Sequence, residues 1–269
     1  MTPFTVTRGD SPVILGMPHV GTWLPDDLTA RLNDTGRALA DTDWHIDRLY
    51  QGLLPGVTTV AATFHRYAID ANRDPAGTSL YPGQNTTGLC PTTDFDGRPI
   101  WAAGQEPSAD EILSRRDAFH APYHAALAAE IDRVCARHGL AILYDCHSIR
   151  SVIPFLFPGT LPDFNIGTND GATCAAVVQC STADPCDKAK GFTTIVNGRF
   201  KGGWTTRHYG HPADGRHAIQ MELAQSAYLA AETAPWAYDP VRADRLRVIL
   251  GTILGQLDHL GRSAALTHG

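Results

Sequence analysis

Ala141-Ile142-Leu143-Tyr144-Asp145-Cys146-His147-Ser148 is the stretch on which the fold turns. Three aliphatic residues and a tyrosine run directly into Asp-Cys-His-Ser, the pattern of a buried strand whose exit carries polar, metal-capable side chains. In an open sheet covered by helices, ligands bind in the crevice outside the carboxyl ends of the strands. A histidine there is placed to be a ligand. The same architecture occurs upstream, where Val13-Ile14-Leu15 reads as a strand and Gly16-Met17-Pro18-His19-Val20-Gly21 breaks it and delivers a second histidine.

Working outward, residues 57–64, 193–196 and 218–223 read as further strands. Ser108-Ala109-Asp110-Glu111 is a capping box that opens a long helix, with a kink expected at Pro122 and a stop at Gly139. Residues 170–183 look helical, and Asp239-Pro240 starts a helix carrying Leu246, Leu250, Ile253, Leu254 and Leu257. Residues 42–54 predict another helix, with Thr42 or Asp43 as its cap. Residues 76–101 lack periodicity, as does the stretch through 165–168, and 197–210 reads as a glycine-rich loop with basic residues, an anion-binding lid. The expected class is α/β, in one domain over 1–269.

Of the 269 residues, 43% are hydrophobic and 19% charged, an ordinary globular composition. The net charge of −6 argues against nucleic acid or an anionic membrane as partner. No apolar run is long enough to span a bilayer and the amino terminus has no basic patch leading into one, so a cytoplasmic location is expected. The six cysteines form no Cys-x-x-Cys pair and are expected to be reduced.

Chemistry concentrates in a few places. Arg66 through Asp70-Ala71-Asn72-Arg73 sets two guanidinium forks and an amide at a strand exit, a combination suited to gripping a carboxylate. Ile219, Met221 and Leu223 alternate with Gln220 and Glu222, so Glu222 faces either solvent or a site. Asp43, His45 and Asp47 compete as a further ligand near the predicted helix start. His120 and His124 are spaced i, i+4, but without the His-Glu-x-x-His glutamate they are expected to serve at the surface or in packing rather than bind metal. Two histidines, a carboxylate and a separate glutamate are the components of a hydrolytic zinc site, in which three protein ligands leave one position for water.

Taken together, Pro18-His19-Val20-Gly21, Asp41-Thr42-Asp43-Trp44-His45, Arg66, Asp70-Ala71-Asn72-Arg73, Asp145-Cys146-His147-Ser148-Ile149-Arg150, Asn197-Gly198-Arg199-Phe200-Lys201-Gly202-Gly203, Arg207-His208-Tyr209-Gly210 and Gln220-Met221-Glu222-Leu223 resemble the N-formylglutamate amidohydrolases over nearly the whole chain. The resemblance implies a three-layer sandwich, a central mixed sheet flanked by helices, like the zinc exopeptidases and aspartoacylases (phosphorylase/hydrolase-like). It implies one zinc ion, replaceable by other divalent metals, held by His19, Asp43 and His147, with Glu222 as general base and then acid. It further implies Arg66 beside the carbonyl oxygen, and Asn72, Arg73 and Arg207 on the carboxylates of a small anionic substrate. The reaction implied is N-formyl-L-glutamate plus water giving formate and L-glutamate, the last step of one route of histidine degradation. Two departures stand out: Thr22 occupies the position where exopeptidases carry their ligand carboxylate, and Ala71 replaces an expected leucine. The rival readings are a zinc hydrolase of another N-acyl amino acid or a short peptide, and a dicarboxylate-binding protein without catalysis.

Overall fold

The computed structural model describes residues 2–80 and 83–263. Tyr81 and Pro82, within the predicted irregular stretch, lie outside the described residues. Seven strands form one sheet: β1 Phe4–Thr7, β2 Val13–Met17, β3 Thr58–Ala62, β4 Ala141–Ile149, β5 Phe164–Gly167, β6 Thr194–Val196 and β7 Arg216–Ala224, in the order β1-β3-β2-β4-β7-β5-β6. β3, β2, β4 and β7 run parallel, β1 is antiparallel to β3, and β5 is antiparallel to β7. The helices are α1 Asp26–Arg31, α2 Asp34–Arg37, α3 Ile46–Tyr50, α4 Ala109–Arg115, α5 Ala121–His138, α6 Ala176–Asp187, α7 Trp204–Tyr209 and α8 Pro240–Arg262.

Strand alternation divides the core into two layers. Val13, Leu15, Ile142, Tyr144, Ile219 and Met221 pack against α3, α6 and α8. Ile14, Leu143 and Ala218 point the other way, onto Tyr123, Leu127, Ile131 and Val134 of α5. On α8, Leu246, Leu250, Ile253, Leu254 and Leu257 are each fully buried, worth about 1.5–3 kcal/mol apiece. Asp145, His147, Gln220 and Glu222 have the parity of the α5 layer, but three of them lie toward the carboxyl ends of their strands, where the cleft opens.

From β2 the chain crosses to β3 on one side, then returns to place β4 on the other. The sheet therefore has its topological switch between β2 and β4, and the crevice at their carboxyl ends is where such a sheet accepts a ligand. His19 follows β2 by two residues and His147 stands near the end of β4.

Several expected elements take another form. The helix expected from 42 to 54 is only α3, because His45 enters it with a positive φ of 59° and Gly52 leaves it at 73°. The 170–183 helix starts later, at Ala176, since Asn169, Asp170 and Gly171 all have positive φ. The stretch read as irregular at 165–168 overlaps β5, in which Asn165 and Gly167, residues that favour turns, mask the strand, and α7 interrupts the glycine-rich segment. The irregularity expected at Pro122 is a π-helical turn, Arg116–His120, just before a residue with no N–H to give. The Ser108–Glu111 capping box is present, and Gly139 ends α5 at φ 78°.

Candidate active site

His19 Nδ1 and His147 Nδ1 face each other at 3.2 Å, and Asp43 Oδ2 lies 3.2 Å from the His147 nitrogen and 3.7 Å from that of His19. All three residues are buried. Ligands about 2.0–2.1 Å from a tetrahedral zinc would stand about 3.3 Å apart, so these three atoms already outline one face of such a site. Each ring turns its other nitrogen to a carboxylate: His19 Nε2 is 2.7 Å from Asp70 Oδ1, and His147 Nε2 is 3.1 Å from Asp145 Oδ1. That arrangement fixes the ring orientation and leaves Nδ1 for a metal. The residues present fit the ion.

Asp43 reaches this point because it precedes α3 instead of capping it, with its backbone N–H bonded to the His19 carbonyl at 3.1 Å. Its Oδ1 accepts from Arg66 Nη2 at 2.9 Å, and its Oδ2 accepts from the Ser148 backbone N–H at 3.1 Å. The two competitors lie elsewhere. His45 Nε2 bonds the Trp236 carbonyl at 2.8 Å, and Asp47 lines a separate groove beside β1 and β3. Thr22 is exposed.

His19 and His147 line a cleft of ≈ 640 Å³, counting its open mouth, and hold Asp43 against it. Arg66, Asn72, Arg73, Arg199 and Glu222 stand on its walls. Glu222 pairs directly with His147 across β4 and β7. Arg73 spends three N–H groups on the Thr87 carbonyl and hydroxyl and on the Asn72 carbonyl, which leaves two of its five for a ligand. Asn72 turns inward: Nδ2 is 3.2 Å from His147 Nε2, and Oδ1 accepts from the Thr205 N–H at 2.9 Å. Arg207 does not line this cleft. It lines an adjoining basic groove with Arg199 and Lys201.

A model of the N-formylglutamate amidohydrolase family matches residues 11–229. The chain belongs to that family. It is 45% identical over 256 residues to the N-formylglutamate deformylase of Pseudomonas aeruginosa, covering 95% of this chain and 96% of the relative. The N-formylglutamate deformylase of Pseudomonas putida is 44% identical over 251 residues, 93% of each chain. The crystal structure of an N-formylglutamate amidohydrolase from Ralstonia eutropha superposes with a TM-score of 0.78 at 28% identity, covering 95% of this chain and 97% of that one. A gene product of Agrobacterium tumefaciens shares the fold, with a TM-score of 0.66 at 18% identity over 96% and 95% of the two chains.

Electrostatics separate the acidic groups of this family member. Burial pushes the Glu222 carboxyl up to about 8, and Asp43 adds to the rise while His147 and Arg66 oppose it. Asp43 and Asp70 are equally buried, yet Arg66 and the histidine rings hold the first well below the ordinary range, and Arg73, His19 and Arg66 do so for the second. One carboxyl is thus poised for proton transfer while two stay ionised. His120 and His124 pack: their Nε2 atoms lie 3.0 Å and 2.7 Å from the carbonyls of Arg73 and Ala71, on either side of Asn72.

Sequence reasoning missed four residues of this surround. Asp145 was readable, since residues two apart on a strand share a face with His147. Gln220 is related to Glu222 in the same way. Asp70 and Arg199 carry no such local signal; only the folded chain brings them to His19 and to the cleft wall.

Proposed function

We propose that this protein is a zinc-dependent N-formylglutamate deformylase that hydrolyses N-formyl-L-glutamate to formate and L-glutamate. The observation that carries this reading is the convergence of His19 Nδ1, Asp43 Oδ2 and His147 Nδ1 at the floor of a cleft whose walls hold Glu222 and three arginines. The curated relatives that match almost end to end supply the substrate by name. The two histidines at strand ends also support kinship with zinc exopeptidases, and a single metallohydrolase domain. Cytoplasmic histidine degradation is the setting in which this reaction would serve.

Bound at these three residues, zinc supplies Lewis acidity toward a carbonyl oxygen and lowers the pKa of a water toward about 7. The chain does the rest. Glu222, opposite His147 on the neighbouring strand and lining the cleft, would accept the proton of the attacking water and return it to the departing amine. Arg66 aligns Asp43 and presents positive charge where the formyl oxygen gains negative charge. Arg73 grips one substrate carboxylate. Arg199, on the cleft wall, is better placed than Arg207 for the other. Asn72 lies beside the His147 ring, its amide fixed by the Thr205 N–H.

The deciding experiment measures zinc content and formate release on one preparation, with N-formyl-L-glutamate and N-formyl-L-aspartate, before and after chelation. One equivalent of zinc and chelator-sensitive release favouring the glutamate compound is expected. The two substrates differ by a methylene, worth about 1–3 kcal/mol, or roughly 10- to 200-fold. A preference for aspartate would move the substrate assignment, and full activity after complete metal removal would refute the mechanism.

A further inference from the structure

Gln220 stands two residues before Glu222 on the same face of β7, opposite Asp145 where Glu222 is opposite His147. Its side chain is buried and its amide has one consistent orientation. Oε1 accepts from the Gly203 N–H at 2.7 Å, so the group turned toward Glu222 is Nε2, which donates to Oε2 at 3.0 Å. No other side chain among the described residues donates a hydrogen bond to that carboxylate. Two residues beyond Gly203, the Thr205 N–H sets the Asn72 amide in the same manner and turns its Nδ2 to His147. One short piece of backbone therefore orients two amides, and these end on Glu222 and on His147.

Glycines let that backbone approach so closely. A Cβ on Gly167 of β5 would lie 2.4 Å from the Gly202 nitrogen, and a Cβ on Gly203 would lie 2.3 Å from Asn72 Nδ2. Residues 202–203 are wedged between the sheet and Asn72, which gives Gln220 a fixed reference point.

We propose that Gln220 is the positioning residue for Glu222: it takes its place from the Gly203 N–H and holds the carboxylate toward the cleft, in register with the His147 side of the floor. The inference rests on Glu222 as the proton-transfer group. Gln220 is not itself required to touch substrate; its contribution is geometric. A misplacement of about 1 Å at a reacting group can cost about 100-fold in rate.

The test uses Gln220→Met, which keeps length and removes both hydrogen bonds, and Gln220→Glu, which keeps an acceptor for Gly203 but sets an oxygen against Glu222. Formate release from N-formyl-L-glutamate, zinc content and thermal midpoint are measured for each, and Gln220→Met is repeated in a Glu222→Gln background. Expected are kcat values about 10- to 100-fold down in both single variants, with KM within about twofold and zinc content unchanged. In the Glu222→Gln background, Gln220→Met should leave the residual rate unaltered, because there is no base left to place. A merely structural role, served by the Gly203 bond, predicts an active Gln220→Glu enzyme and an equal loss in both backgrounds. Either result overturns the inference while leaving the deformylase reading intact. A Glu222→Gln enzyme with full kcat would instead remove Glu222 as the base and the inference with it.

Discussion

Replacing Asp70 by asparagine should weaken zinc binding about 10- to 100-fold, although Asp70 offers no atom to the ion. Its Oδ1 accepts from two donors, His19 Nε2 at 2.7 Å and the Asn72 N–H at 2.8 Å, while Oδ2 faces Arg66 Nη1 and Arg73 Nη1 at 3.8 Å each. An asparagine has no good orientation here. With its oxygen toward His19, the amide N–H groups point at two guanidiniums; reversed, they point at two N–H donors. The lost interaction is a charge-assisted hydrogen bond in a fully buried place, worth about 1.5–3 kcal/mol. Mutations of carboxylates that support ligand histidines typically cost 10- to 100-fold in metal affinity, or about 1.4–2.7 kcal/mol. The two routes agree near 2 kcal/mol. Competition with a chromogenic chelator measures the zinc dissociation constant, and activity in excess zinc shows how much catalysis returns once the site is filled. Asp145→Asn serves as the comparison for His147, whose Nε2 lies 3.1 Å from the Asp145 carboxylate. A zinc affinity within twofold of the parent in Asp70→Asn would refute the idea that this carboxylate prepares His19 as a ligand.

Two further outcomes follow from the geometry. Arg73→Ala and Arg199→Ala should each raise KM by about 10-fold or more with smaller effects on kcat, as expected of anchors used in both ground and transition states; a kcat loss at constant KM would assign them to chemistry instead. Burial pushes His124 down to about 3, so the folded ring stays neutral while the unfolded chain takes up a proton below about 6.5; stability tied to this ring is present above 6.5 and lost on acidification toward 3, up to about 4 kcal/mol, and denaturant unfolding from pH 7 to pH 4 should show a steeper acid limb than His124→Gln, with parallel curves counting against it.

The sheet was legible where a strand's composition or alternation stood out from its surroundings. β4 and β2 could be read because an aliphatic run met polar residues abruptly, and β7 because Ile219, Met221 and Leu223 alternate with polar neighbours. β1 and β5 were not read, whereas the three-residue β6 was, because Thr193-Thr194-Ile195-Val196 is an unbroken β-branched run and Phe164-Asn165-Ile166-Gly167 is not. The misplaced ends of α3 and α6 share a cause: His45, Asn169 and Asp170 adopt positive φ, which local propensity does not announce for non-glycine residues. Tertiary contacts impose those turns. At His45 the ring is drawn to the Trp236 carbonyl at 2.8 Å, a residue 191 positions away.

For the candidate site, legibility depended on how far apart in sequence the cooperating groups lie. His147 with Asp145, and Glu222 with Gln220, are pairs two residues apart on strands, so parity alone puts each pair on one face. His19 follows β2, Asp43 lies between α2 and α3, and Asp70 comes after β3, and no spacing rule unites them. Their union has an electrostatic logic that only the structure exposes. Asp43, Asp70, Asp145 and Glu222 are all buried around the two rings, with Arg66 as the one buried guanidinium in direct contact among the described residues. Asp70 Oδ2 lies buried without a hydrogen-bond partner, with only the Arg66 and Arg73 guanidiniums near it at 3.8 Å. Such a concentration of carboxylates would be costly in a site meant to stay metal-free, since each buried charge requires compensation. A divalent cation at the three converging atoms would offset it, and would account for two histidines meeting nitrogen to nitrogen at 3.2 Å.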